Sequence, residues 1–108
     1  YNPRKFWLII HKKYNFDGLI ATNTTTDKSL LKNNSDLDGG LSGKPLFEKS
    51  NELIKYIKSI DSEINIVGVG GIFNKDDFQE KLRAGAALAQ IYTSFIIDGP
   101  SVINKILD

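Results

Sequence analysis

The sequence predicts an α/β fold of consecutive βα units with parallel strands. Short apolar runs, typical of buried parallel strands, alternate along the 108 residues with segments of helical periodicity. Three of these runs lead into turns rich in glycine or hydroxyl groups, at residues 22–25, 68–71 and 92–94. Because the carboxyl ends of parallel strands meet at one end of the sheet, these turns predict three units of a (β/α)8 barrel with a ligand at that end.

The first helix and the first strand are predicted in residues 1–23. Asn2 before Pro3 is a good helix start, and Asn15 ends the helical pattern, so a helix is expected over residues 1–14. Residues 17–23 are apolar and lead into a run of threonines. They are expected to form a strand that is buried on both faces.

The next segment, residues 24–44, is long, polar and rich in glycine, and within it residues 25–39 are a candidate lid over a ligand. Ser50 then resembles the N-cap of a second helix. One face of that helix would carry Leu53, Ile54, Ile57 and Ile60.

Two further strands are predicted at residues 64–67 and 87–92. The helix between them should begin after Asn74, a cap residue, and should end at Gly85. Residues 99–101, Gly-Pro-Ser, should open one last helix. The resulting order of elements implies right-handed crossovers between parallel strands.

Composition limits the classes of function. A net charge of +1 gives no basis for nucleic-acid binding by bulk electrostatics. The chain has no cysteine, so it has neither a disulfide nor a thiolate metal site, and no metal-ligand spacing is visible. No apolar run approaches the roughly 20 residues of a membrane-spanning helix. Three βα units do not close a barrel of roughly 250 residues, so the chain is expected to be a fragment of a single domain.

Four motifs, at residues 21–25, 39–46, 66–72 and 84–86 with 90–93, closely resemble those of the dihydroorotate dehydrogenases. The stretch Leu-Ser-Gly-Lys-Pro-Leu within the second motif resembles the class 2, quinone-reducing branch. The resemblance extends from Phe16 to the end of the chain, with the motifs in the expected order and spacing.

This resemblance implies that residues 1–108 are the C-terminal part of a single FMN-binding (β/α)8 barrel domain. The family oxidises dihydroorotate to orotate and passes electrons through FMN to a quinone, in de novo pyrimidine (UMP) biosynthesis. It also implies peripheral membrane association. The expected site is the cytoplasmic side of the inner membrane in a bacterium, or the mitochondrial inner membrane in a eukaryote. The quinone would be reached through an N-terminal region outside this sequence.

The resemblance also assigns roles to seven residues. The residues that match its flavin contacts are Thr22, Gly43, Gly71, Tyr92 and Thr93. The residues that match its substrate contacts are Asn23 and Thr24. An amide beside a hydroxyl can donate to a carboxylate and accept from a ring N–H, as an orotate-like ligand requires.

Several of these residues also have a purely structural interpretation. Thr22 and Asn23 could cap the strand and satisfy a turn, Gly71 could serve a turn with positive φ, and Tyr92 could pack in the core. Glycines 39, 40, 68 and 70 are interpreted as conformational.

Three other reactive side chains are expected to lie outside the chemistry. The sequence shows no general base as a partner for Ser42, and Lys44 is interpreted as a surface charge. His11 lies in the helix before the first strand, away from the strand ends.

No catalytic residue is expected within this segment. By the resemblance, the base that takes a proton from dihydroorotate is a serine upstream, so the isolated chain should be inactive. Its unpaired sheet edges predict that it associates with itself or with the rest of its barrel, unless it is the ordered part of a larger chain. The alternatives are another phosphate-binding barrel enzyme and a non-catalytic fragment.

Overall fold

The computed structural model describes residues 3–31 and 38–108. Its elements are α1 (Pro3–Tyr14), β1 (Gly18–Ala21), α2 (Phe47–Ile60), β2 (Asn65–Val69), α3 (Lys75–Arg83), β3 (Leu88–Gln90), α4 (Thr93–Asp98) and α5 (Val102–Leu107). The predicted cap at Asn2 and part of the candidate lid, residues 32–37, lie outside the described residues.

The three strands form one parallel sheet in the order β1–β2–β3. Gly18 pairs with Asn65 at the start of β1, and Gly68 pairs with Ala89 on the other side of β2. Helices α2 and α3 make the two crossovers, which confirms the predicted α/β fold of consecutive βα units.

The helices cover one face of the sheet. Ile66 is fully buried there and Ala21 is 5% exposed, in a core shared with Ile54 and Ile57 of α2. On the other face Ile20 is 68% exposed and Leu88 is 65% exposed. The expectation of a first strand buried on both faces is therefore wrong, because the described helices pack against only one of them.

Two of the predicted helix boundaries are confirmed. Asn15, with a φ of 54°, follows the end of α1. The side chain of Asn74 accepts a hydrogen bond from the backbone N–H of Asp77 at 2.9 Å, so it caps α3 as expected.

Ser50 is not the N-cap of α2, because the helix begins at Phe47. The 3₁₀ turn Lys44–Leu46 leads directly into it. This places Ser50 inside the helix, fully buried, where its hydroxyl donates to the carbonyl oxygen of Val69 at 2.5 Å. The Ser50 hydroxyl, which was predicted to cap the helix, therefore makes a tertiary contact with β2 instead.

The predicted last helix is confirmed as α5, which begins directly after residues 99–101, but one further helix before it was not predicted. A short helix, α4, follows β3 after only two residues, and Gly99, with a φ of 71°, separates it from α5. Val102 and Ile106 of α5 are buried with Ile72 in a second apolar cluster. None of the described helices is long and apolar enough to cross a bilayer.

Candidate functional site

A cavity of about 490 Å³ lies at the carboxyl ends of the three strands. Its wall comes from the segments that follow β1, β2 and β3 and from the segment that precedes α2. All seven residues assigned a role from the sequence line this one cavity: Thr22, Asn23, Thr24, Gly43, Gly71, Tyr92 and Thr93. Residues up to 71 positions apart in the chain are thus brought together by the parallel register of the sheet.

The segment after β1 presents polar groups to this cavity. The amide of Thr22 donates to the carbonyl oxygen of Val69 at 3.1 Å, which ties it to β2. The hydroxyl of Thr22 is buried and has no partner among the described residues. Asn23 Oδ1 accepts the amide of Thr24 at 2.8 Å, so this oxygen does serve a turn. A buried hydroxyl without a partner is unusual, and a bound polar ligand would satisfy it.

The base of the candidate lid is closed by backbone hydrogen bonds. Thr25 donates to Leu41 at 3.1 Å and accepts from it at 2.7 Å, in an isolated antiparallel bridge. The bridge returns the chain to the cavity at Ser42 and Gly43. Thr93 Oγ1 then donates to Ser42 Oγ at 3.0 Å, which joins the segments after the first and third strands.

Gly71 adopts a conformation that excludes a side chain. Its φ is 73°, and a Cβ atom there would lie 2.6 Å from the Cβ and 2.9 Å from the Cα of Phe47. The interpretation of a tight turn with positive φ is therefore correct for this glycine. The same turn also leaves the cavity wall without a side chain at that point.

Tyr92 is 73% exposed, so the alternative that it packs in the core is wrong. It directly precedes α4, and Thr93 is the first residue of that helix. Both residues line the cavity.

The side chains that line the cavity among the described residues are all uncharged at neutral pH, with no carboxylate, histidine, lysine or arginine. His11 is outside the lining, as expected. Lys44, also outside it, forms an ion pair with the largely buried Asp77 and lies 4.8 Å from the ring centroid of Phe47. The Lys44 side chain is therefore exposed, but its amine contacts both Asp77 and the Phe47 ring. A wall of this kind can bind and orient a ligand, but it offers no general base.

One charged residue behind the wall was missed by the sequence analysis. Lys81 of α3 is fully buried, and burial lowers its pKa to about 8. Its amine donates to Ser50 Oγ at 2.9 Å. The one available signal was weak: Gly68, in the strand beneath, leaves room for a long side chain.

Comparison with known proteins identifies the family. The family model for dihydroorotate dehydrogenase matches residues 4–108. The chain is 45% identical over 96 residues to a dihydroorotate dehydrogenase (quinone) from Paraburkholderia phymatum, which covers 86% of the chain and 28% of that protein. It is 48% identical over 99 residues to the protein of the same name from Psychromonas ingrahamii, with coverage of 89% and 30%.

Solved structures agree with the sequence relatives. A ligand-free DHODH from Eimeria tenella superposes with a TM-score of 0.83 at 30% identity, over 95% of this chain and 30% of that one. The complex of the Eimeria tenella protein with ferulenol gives a TM-score of 0.84 at 32% identity, over 95% and 28%. The chain thus spans less than a third of the length of the relatives it matches. By sequence and by fold, the chain belongs to the dihydroorotate dehydrogenase family.

Proposed function

We propose that this chain is the C-terminal part of an FMN-binding barrel that oxidises dihydroorotate to orotate and passes the electrons to a quinone, in pyrimidine biosynthesis. The observation that carries the proposal is the convergence of seven residues, taken from four separate segments, on one cavity at the carboxyl ends of the strands. In parallel α/β folds, ligands bind at this end of the sheet.

The groups in the wall fit the phosphate end of FMN. The amides of Tyr92 and Thr93 are neutral donors of the kind that phosphate accepts, and the hydroxyl of Thr93 can join them when Ser42 Oγ donates to it in place of accepting from it. Gly43 and Gly71 let backbone approach a ligand closely, and the unpaired hydroxyl of Thr22 can complete the set of donors. When bound, FMN would accept a hydride from the substrate and deliver the electrons onward.

The neighbouring groups fit the substrate. Asn23 and Thr24 are exposed at the cavity, so their side-chain amide and hydroxyl can donate to the carboxylate of orotate and accept from its ring N–H. Since the described residues of the lining include no basic group, we assign the proton abstraction to a residue outside it, in keeping with the upstream serine of class 2 enzymes. The isolated chain would then bind and orient but not catalyse.

A second candidate is a non-catalytic, associating role for the isolated chain. Ile20 and Leu88 are exposed on the uncovered face of the sheet, where an apolar partner surface would bury them. Such a partner would be the rest of the barrel or a second copy of the chain.

Under the leading proposal the whole protein associates peripherally with the membrane that holds its quinone.

The test is a titration of this 108-residue chain with FMN, followed by flavin fluorescence. Riboflavin is the matched ligand that lacks the phosphate. We expect saturable quenching at micromolar FMN and clearly weaker binding of riboflavin. Protein expressed from the complete gene should also reduce a quinone analogue when dihydroorotate is supplied. Equal affinity for the two flavins would contradict the phosphate assignment, and the absence of dihydroorotate-dependent reduction would refute the proposed reaction.

Thr93→Val removes one proposed phosphate donor and keeps the shape of the side chain. We expect FMN affinity to fall roughly ten- to a hundredfold, the effect of one lost hydrogen bond to a charged group, while riboflavin affinity stays unchanged. Thr26→Val is the matched control, because Thr26 is exposed and lies outside the lining. A similar loss in the control variant would show that the effect is not specific to the cavity.

A further inference from the structure

Lys81 is an unusual residue for the interior of a small α/β unit. It is fully buried, and its stem crosses β2 where Gly68 leaves room: a Cβ at Gly68 would lie 2.6 Å from Lys81 Cγ. A buried ammonium is unfavourable unless it is paired and hydrogen-bonded. Its contacts therefore indicate what the fold gains by keeping it.

These contacts form a continuous chain to the cavity. Lys81 Nζ donates to Ser50 Oγ at 2.9 Å, and Ser50 Oγ donates to the carbonyl oxygen of Val69 at 2.5 Å. The same carbonyl accepts the amide of Thr22 at 3.1 Å. The amine also lies 4.7 Å from the ring centroid of Phe47, whose Cβ abuts Gly71. Helix α3 is thus linked to the ends of both β1 and β2.

Asp77 lies one helical turn before Lys81. It holds the far end of residues 70–72, the glycine turn that follows β2. Its carboxylate accepts the amide of Phe73 at 3.0 Å and forms the ion pair with Lys44. Since Val69 and Phe73 flank residues 70–72, one helix fixes both ends of the turn that forms part of the cavity wall.

The charges around Lys81 keep its amine a donor at neutral pH. Burial lowers its pKa, whereas the carboxylates of Asp77, Glu48 and Glu80 raise it and Lys44 lowers it. With a resulting pKa of about 8, the amine remains mainly protonated at pH 7.

We propose that Lys81 is a positioning residue for the cavity: through Ser50 it fixes the carbonyl of Val69, and with it the amide of Thr22 and the glycine turn at residues 70–72. As a statement about ligand affinity, this rests on the proposed binding of FMN. The proposed effect of Lys81 on backbone geometry does not depend on FMN binding.

The test compares Lys81→Met, Ser50→Ala and their double variant in protein expressed from the complete gene. Methionine keeps an unbranched stem over Gly68 and removes the amine. Lys58→Met is the matched control, because Lys58 also donates from a helix to backbone carbonyls, those of Ser62 at 2.7 Å and Ile64 at 2.9 Å, but before β2 begins.

Two readouts are taken. The first is the ratio of amide exchange at Thr22 to that at Ala87, whose amide donates to the carbonyl of Ile66 at 2.8 Å and serves as internal reference. The second is FMN affinity. We expect Lys81→Met and Ser50→Ala each to raise the ratio and weaken FMN binding on the order of tenfold, with the double variant no worse than either single one.

Lys58→Met should lower global stability and leave both readouts unchanged. An unchanged Thr22 ratio in Lys81→Met and Ser50→Ala would overturn the inference, as would an equal change in Lys58→Met. If Lys81→Met does not fold, Ser50→Ala alone decides, since it breaks the same chain at the next link. A wild-type protein that does not bind FMN would refute the proposed cofactor, and amide exchange would then decide the role of Lys81 by itself.

Discussion

The two faces of the sheet differ sharply in what they hold. On the face under the helices, Ile66 is completely buried, whereas Ile20, one strand away on the other face, is 68% exposed. The cavity opens at the end of the uncovered face, where Ile20 and Gln90 contribute to its lining. The covered face therefore supplies the stability of this unit, and the uncovered face with the strand ends supplies its binding groups.

Truncating one residue on each face tests this comparison most strongly. Ile66→Ala should cost about 3–4 kcal/mol of unfolding free energy, because it leaves a cavity in the closed core. In the isolated chain, Ile20→Ala should cost less than about 0.5 kcal/mol, since its side chain is 68% exposed. Denaturant unfolding of both variants measures the difference, and similar losses would mean that a partner surface covers Ile20 in solution.

The charge within the covered face gives the second prediction. Folding lowers the pKa of Lys81 from 10.5 to about 8, so between these pH values the unfolded chain binds more protons. Stability should therefore rise with pH through this window, by up to about 3 kcal/mol relative to Lys81→Met. The measurement is unfolding free energy against pH for both proteins. If the two curves of unfolding free energy against pH are parallel, folding does not change the pKa of the Lys81 amine.

Gly71→Ala examines the turn at the end of β2. Gly71 and Gly99 have nearly equal φ values, 73° and 71°, but a Cβ would collide with Phe47 only at Gly71, since Gly99 has open space around it. We expect Gly71→Ala to cost about 2–3 kcal/mol and Gly99→Ala about 1 kcal/mol, the backbone contribution alone. Thermal unfolding of the pair would separate packing from conformation, and equal losses would exclude the collision.

The smallest expected effect concerns the base of the candidate lid. Asp27 is held at a pKa of about 2, chiefly by its hydrogen bond to Lys49, with a second bond to Ser29. Lys49→Met should return this pKa toward 3.8, which carboxyl titration by NMR can follow. Because the folded pKa is depressed, the contribution of this pair to stability is present above pH 3.8 and is lost as the pH falls toward 2. A pKa that stays near 2 in Lys49→Met would assign the shift to Ser29 instead.

Much of the fold was predictable because its signals are local. The alternation of elements, the cap at Asn74 and the end of α1 at Asn15 follow from short-range periodicity and backbone preference. The residues of the candidate site were assigned by the family resemblance, and their meeting in one cavity was predictable because parallel strands carry their carboxyl ends to one place. The functional roles of its residues remain predictions.

The errors occurred where a side chain's role depends on distant neighbours. Ser50 reads locally as a cap, but it donates to Val69 in another element. The first strand was expected to be buried on both faces, but Ile20 is 68% exposed. The short helix α4, directly after β3, was not predicted.

The sequence by itself determined the βα order, the family and the identity of the residues at the strand ends. Only the tertiary structure decided which face of the sheet is covered, and that Lys81 and Ser50 meet behind the cavity. The physical reason is that periodicity and capping act over a few residues. Burial and hydrogen-bond partnership are set by segments that are distant in the chain and meet only when the sheet forms.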